Sequence, residues 1–127
     1  MVLAQGDLTE PGYAKAKAEC RRLSRTDGID KVLHENRLDA LVAPTDGHPA
    51  WVTDPIVGDN IKGGCSSPAA MAGYPHITVP AGYVHGLPVA LSFFAGAWKE
   101  ARLIGYAYAF EQATRVRRSP TCPPTVN

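Results

Sequence analysis

The sequence has no apolar run approaching the roughly 20 residues that a membrane-spanning helix needs, which excludes a helical span. It has no excess of one charge either. Lys and Arg number 13 against 12 Asp and Glu, a net charge of +1, which offers nucleic acid or an anionic membrane nothing to grip. Cysteine is sparse: Cys20, Cys65 and Cys122 are odd in number, without metal-type spacing. They read as reduced thiols rather than a disulfide framework. Histidine is equally thin. His34, His48, His76 and His85 are scattered without a His-x-x-x-His pair, so no metal and no cofactor is expected. The opening residues, MVLAQGDLTEPGY, lack the basic-then-apolar plan of a signal peptide, and the expected location is the cytoplasm. No internal repeat and no inter-domain linker is visible.

What is present is an ordinary globular composition, 45% hydrophobic and 20% charged over 127 residues, enough for one modest core. The organising stretch runs from Ser66 to Phe94. Ser66-Ser67-Pro68 opens a short helix, the serines being candidate caps and Pro68 suiting a first turn. Gly73 ends it and Pro75 prevents it resuming. His76-Ile77-Thr78-Val79 then reads as a strand closed by Pro80-Ala81-Gly82, and a second strand follows the turn 84–88. Upstream, Thr9-Glu10-Pro11 starts an alanine-rich surface helix, and Ile29, Val32 and Leu33 form the stripe of another. Leu38 to Pro44 reads as a strand whose continuous apolar run suits burial on both faces. Lys99 to Arg117 reads as a long helix with Leu103, Ala107 and Phe110 on one face and Ile104 and Tyr108 beside them. Its basic end, Arg115 to Arg118, suits the helix dipole.

The fold class this predicts is α/β: helices packed on a small mixed sheet with strands near 39–44, 76–80 and 88–95. A strand–helix–strand succession favours parallel pairing of the first two. Interior-type strands need neighbours on both sides, so the sheet reads as one completed by something else. Residues 1–120 form the domain piece; 121–127 form an extended or disordered tail.

The segment Thr45 to Gly64 is rich in glycine and proline, carries Asp46, Asp54 and Asp59, and has no periodicity. Such a segment is a functional loop or covering flap rather than plain connection. Trp51 stands out because a Trp in a Pro/Gly loop has little local core to enter, although packing over the sheet edge also accounts for it. Lys62, Ser66 and Ser67 supply a lysine and two serines close together. A nucleophilic serine needs an oriented base and an oxyanion site, and nothing local orients Lys62, so helix capping is the stronger reading of the serines.

Leu38-Asp39-Ala40-Leu41-Val42-Ala43-Pro44-Thr45, with Pro49-Ala50-Trp51 and Asp54 after it, resembles the amidase signature family. So do Ala72-Gly73-Tyr74-Pro75-His76-Ile77-Thr78-Val79-Pro80-Ala81-Gly82 and Gly86-Leu87-Pro88-Val89-Ala90-Leu91-Ser92-Phe93. Tyr108-Ala109-Phe110-Glu111-Gln112-Ala113 looks like that family's last helix. The resemblance runs from about residue 8 to 120 and is to the C-terminal portion of the family. It implies part of a large mixed sheet, of about eleven strands in the whole family, enclosed by helices. It also implies hydrolysis of a carboxamide to a carboxylate and ammonia. The family uses a serine nucleophile, a second serine in a cis peptide linkage and a lysine base, all upstream of the region matched here. No catalytic residue is therefore carried over. In the family, loops from this region wall part of the substrate cleft, which implies substrate contacts for Trp51 and Asp54.

Three readings follow. The chain is the C-terminal portion of an amide hydrolase, inactive until joined to a catalytic N-terminal half. Alternatively, it is a non-catalytic remnant or partner subunit that docks on another chain, or on its own copy, through an open sheet edge and apolar surface. The third is a minimal serine hydrolase centred on Ser66 and Ser67.

Overall fold

A computed structural model describes residues 9–46, 56 and 64–120. The first helix, α1 (Pro11–Arg21), has Glu10 as its N-cap and Pro11 at its start, and it buries no residue. Its alanines leave it on the surface, as their small size predicts. It runs into a π-helical stretch, Arg22–Ile29, that kinks at Gly28 (φ −109°, ψ −110°) before α2 (Asp30–Glu35). A Cβ at residue 28 would lie 2.5 Å from the Leu23 carbonyl oxygen, so the kink requires glycine there. The break turns Ile29 inward, where it is 3% exposed, while Val32 stays largely exposed.

The remaining elements are β1 (Leu41–Pro44), α3 (Ser66–Ala72), β2 (His76–Val84), β3 (Leu87–Phe94) and α4 (Glu100–Thr114). The helix α3 ends at Gly73 in the left-handed conformation, as predicted. Its N-cap, however, is Cys65, and no side chain hydrogen-bonds the first-turn amides; Ser66 and Ser67 lie inside the helix rather than capping it.

The α/β class holds, but the sheet differs from the expected mixed one. Its order is β1-β3-β2, and both pairings are antiparallel. The strands β1 and β2 do run in the same direction, yet β3 lies between them. The expected direct pairing of β1 with β2 is absent: β1 takes the free edge of β3, where it pairs antiparallel, rather than that of β2, where it would pair parallel and slightly less stably per residue. His85 (φ 49°) and Gly86 (φ 80°) form that turn, with both central residues in the positive-φ region that matches strand twist. The expected stop at Pro80-Ala81-Gly82 is also absent. The strand continues to Val84, and a register shift between Pro80 and Gly82 absorbs the proline.

Side-chain alternation gives the sheet two faces. On one, Val79, Phe93, Ala95, Leu103 and Ala107 form a buried cluster beneath α4. Ile104 and Tyr108 do not join it, at 59% and 62% exposed, so the buried stripe of α4 is narrower than its apolar sequence. On the other face, Ile29, Ala69, Ala72 and Phe94 form a second cluster beneath α2 and α3. Arg115 closes α4 in the left-handed conformation, and the chain beyond it returns to the hairpin. There the Arg118 amide donates to the Tyr83 hydroxyl at 3.2 Å, and its guanidinium lies 4.6 Å from the Tyr83 ring centre. The tail 121–127 lies outside the described residues.

One polar staple joins the N-terminal helices to the sheet. Arg25 Nε donates to the Ala72 carbonyl at 2.6 Å, capping the end of α3, while its guanidinium stacks 5.0 Å from the Tyr74 ring centre. The Tyr74 hydroxyl in turn donates to the Asp30 carboxylate at 2.8 Å. Burial, then the hydrogen bond to Asp30, raises the Tyr74 phenol above its ordinary 10.0. A folded-state pKa above the unfolded one means the stabilisation is complete below about pH 10 and is lost as pH climbs through the folded value. Tyr74→Phe is expected to cost about 1 kcal/mol at neutral pH. Over about pH 9 to 12 it should lose less stability than the parent. Denaturant melts across that range check this, and identical alkaline losses in the two proteins would contradict it.

Candidate functional site

The register of β3 between its neighbours places one hydroxyl from each strand line on the helix α3 face. Ala43 and Thr78 both pair with Ser92. Thr45, just past β1, continues the ladder by donating its amide to the Ala90 carbonyl at 2.9 Å. Ser92 Oγ then lies 2.8 Å from Thr45 Oγ1 and 3.0 Å from Thr78 Oγ1. Ser92 is fully buried and Thr78 is exposed, so the hydroxyl chain leads from the middle of the sheet to solvent. Three hydroxyls carry three protons for two internal hydrogen bonds, and when the bonds run in one direction along the row the spare donor stands on a threonine at its end. Such a row suits a carbonyl or amide group on a ligand. It does not suit nucleophilic attack by Ser92, whose oxygen is enclosed and already bonded to both threonines.

Beside this row stand Cys65 and His76. The Cys65 Sγ lies 4.0 Å from His76 Nε2, at the outer limit for a hydrogen bond to sulfur. The His76 ring is held edge-on to Phe94, with centroids 5.8 Å apart. The Cys65 amide donates to the Thr45 carbonyl at 3.2 Å. That bond ties together the two ends of the segment 46–64, which therefore springs from the rim of the hydroxyl row. Among the described residues no group of three or more His, Cys, Asp or Glu could hold a metal ion. No helix among them is long and apolar enough to cross a membrane.

Trp51 and Asp54, the predicted substrate contacts, lie outside the described residues, as do His48, Asp59, Lys62 and Cys122. Ser66 and Ser67 are exposed on the first turn of α3. His34 is exposed on α2, and His85 occupies the hairpin turn, away from His76. The residues missed by sequence reasoning are Ser92, Thr78 and Thr45. Their signal was a polar residue within or beside each apolar strand run, which acquires meaning only once the register is known.

The amidase family model matches residues 1–104, most of the chain. The chain belongs to the amidase family. A probable amidase of Arabidopsis thaliana is 40% identical over 106 residues, covering 83% of this chain and 17% of that protein. A glutamyl-tRNA(Gln) amidotransferase subunit from Pseudomonas entomophila is 34% identical, covering 80% of this chain and 21% of that one. Among solved structures, the native peptide amidase of Stenotrophomonas maltophilia superposes with a TM-score of 0.82 at 50% identity. It covers 92% of this chain but only 23% of its own length is matched. The chain thus spans about a fifth of the length of the curated relatives it matches.

Ser92→Ala leaves Thr45 and Thr78 without their shared partner in the sheet. It is expected to lower stability by about 0.5–1.5 kcal/mol, the net worth of a hydrogen bond, because Thr78 is exposed and Thr45 half-buried. Ser92→Thr, which keeps the hydroxyl, should recover less than half of that because its added methyl overpacks a fully buried site. Urea melts of the two variants check both; a neutral Ser92→Ala would remove the hydroxyl row from consideration.

Proposed function

We propose that this chain is the C-terminal scaffold portion of an amide hydrolase that turns a carboxamide and water into a carboxylate and ammonia. The serine nucleophile, the second serine and the lysine base come from polypeptide outside these 127 residues. The chain alone is inactive. The observation that carries this is the 50% identity to the peptide amidase of Stenotrophomonas maltophilia, sustained over 92% of this chain but 23% of that one. The same likeness favours a peptide amide as substrate over the glutamyl-tRNA(Gln) in the name of the amidotransferase subunit, whose identity is 34%. The protein works in the cytoplasm, without a metal or cofactor and without binding nucleic acid or membrane.

In this reading the chain contributes one wall of the substrate cleft. Trp51 and Asp54, in the segment between Thr45 and Cys65, contact the substrate in this reading, and the hydroxyl row offers a donor to a peptide carbonyl. Ser66 and Ser67 stand exposed on the first turn of α3, where water is not excluded from a reacting acyl group, which favours this over a minimal serine hydrolase.

A chimera tests it: the matching portion of the Stenotrophomonas maltophilia peptide amidase is replaced by this chain. The chimera is expected to release ammonia from a peptide amide while the chain alone releases none, and Ser67→Ala in the chimera should leave turnover intact. Trp51→Ala with Asp54→Ala should raise KM by about tenfold, the scale of one lost 1.4 kcal/mol contact. A folded chimera without amide turnover would favour a non-catalytic partner subunit instead. Unchanged substrate preference in the double variant would remove Trp51 and Asp54 from the cleft.

A further inference from the structure

We propose that Lys17, Arg21 and Arg25, spaced along α1 and the π-helical stretch that follows it, form a docking stripe for an acidic, extended segment of a separate protein. The surface lies outside the hydrolase reading and does not depend on it.

Charge is unevenly placed along this chain. Residues 11–26 hold five of the 13 Lys and Arg (Lys15, Lys17, Arg21, Arg22 and Arg25) but only one of the 12 Asp and Glu, Glu19. The overall charge of +1 therefore combines a strongly positive stretch with a remainder that is net acidic. The helix α1 buries none of its residues, so this charge stands in water. An 11-residue helix without a buried residue also draws little support from a core.

Folding gathers four of the five cations into one trough. It measures about 640 Å³ and is lined by Lys17, Arg21, Arg22 and Arg25, with the Tyr13 ring among them and no carboxylate. Ala14 and Ala18 line it too, and their small side chains leave its floor open. Lys15, on the same helix, does not line it. Arg22 is already neutralised, donating to Glu19 at 2.7 Å and pairing with Asp27. The other three cations are not. Among the described residues no carboxylate pairs with Lys17, Arg21 or Arg25. Lys17 lies 5.6 Å from the Tyr13 ring centre. Arg25 is held in place by the Ala72 carbonyl and the Tyr74 ring, so it loses little freedom when an anion arrives.

Spacing favours a peptide. Lys17, Arg21 and Arg25 follow at four-residue intervals, about 6 Å of rise each at α-helical geometry. Carboxylates on every second residue of an extended chain recur at about 6.6 Å, so five residues of partner can supply all three. Other anions fit less well. Cations strung along a helix suit a linear partner better than a single phosphate. A nucleic acid or an anionic membrane would also meet the net acidic remainder of the chain, and the trough offers a membrane only alanine and one tyrosine as apolar surface. A second copy is poorly matched, because its Asp27, Asp30, Glu35 and Asp39 already engage Arg22, Tyr74, Lys31 and Arg102.

Fluorescence anisotropy tests this with a labelled peptide of four Glu-Ser repeats, titrated at low salt with the 127-residue chain and with the chimera. Both are expected to bind it, less tightly as salt rises, since at 0.1 M exposed charges are screened over about 10 Å. Lys17→Gln with Arg21→Gln should weaken binding about fivefold to tenfold, the upper range for two exposed ion pairs. Lys15→Gln, which removes a charge from the same helix outside the trough, should change it less than about twofold. All three side chains are exposed and outside any ion pair, so the fold is retained, as identical urea midpoints would show. Equal losses in the two variants would reduce the effect to net charge and overturn the docking stripe. So would an absence of binding, or tighter binding of an octathymidylate. Binding by the chain that the chimera lacks would overturn it as well, because the rest of the amidase domain would then cover the trough. Peptide binding by a chimera that hydrolyses no amide would sink the functional reading and leave this surface standing.

Discussion

The two-residue turn at His85–Gly86 is the constraint on which this structure depends. It folds β3 directly back on β2, and β1 pairs with the opposite edge of β3, which makes β3 the central strand. Both helical layers then follow from strand alternation. Phe93 and Val79 point to α4, while Phe94 on the next pleat points to α2 and α3. The bulge at Pro80–Gly82 is part of the same arrangement, because it lets a proline-bearing segment remain paired along the whole hairpin.

That register also builds the hydroxyl row. Ser92 lies within hydrogen-bond distance of Thr45 and Thr78 only because β3 separates their strands; a direct β1–β2 pairing would have excluded it. The segment bearing Trp51 and Asp54 returns to the sheet beside this row, through the bond between the Cys65 amide and the Thr45 carbonyl. Scaffold and site are consequently one object here: the hydrogen bonds that hold the sheet's central layer also define the floor of the proposed cleft wall.

The apolar surface fits a body that is part of a larger one. Leu103 and Ala107 of α4 are buried, yet Ile104 and Tyr108 one position further round are open. Leu23 and Met71 are likewise open on the opposite face, although helices pack within reach of both. Residues of this type ordinarily gain about 25 cal/mol per Å² on leaving water, so the apolar side chains left exposed on both faces represent stabilisation not realised within this chain.

Local signals sufficed for much of this. Gly73 as a helix stop, α1 as a surface helix and three strands near their observed places could be read from residue type and spacing, because each is decided within one or two turns of chain. The family could be read as well, since Leu38–Thr45 and Ala72–Gly82 carry it in their own residues. Strand order could not. Whether β1 meets β2 or β3 is a competition between loop-closure costs and packing over distant segments, and no short window contains both competitors. The hydroxyl row was hidden for the same reason. Ser92, Thr45 and Thr78 are ordinary residues singly, and only the tertiary register, set by a turn and a bulge elsewhere in the chain, brings their oxygens within 3.0 Å.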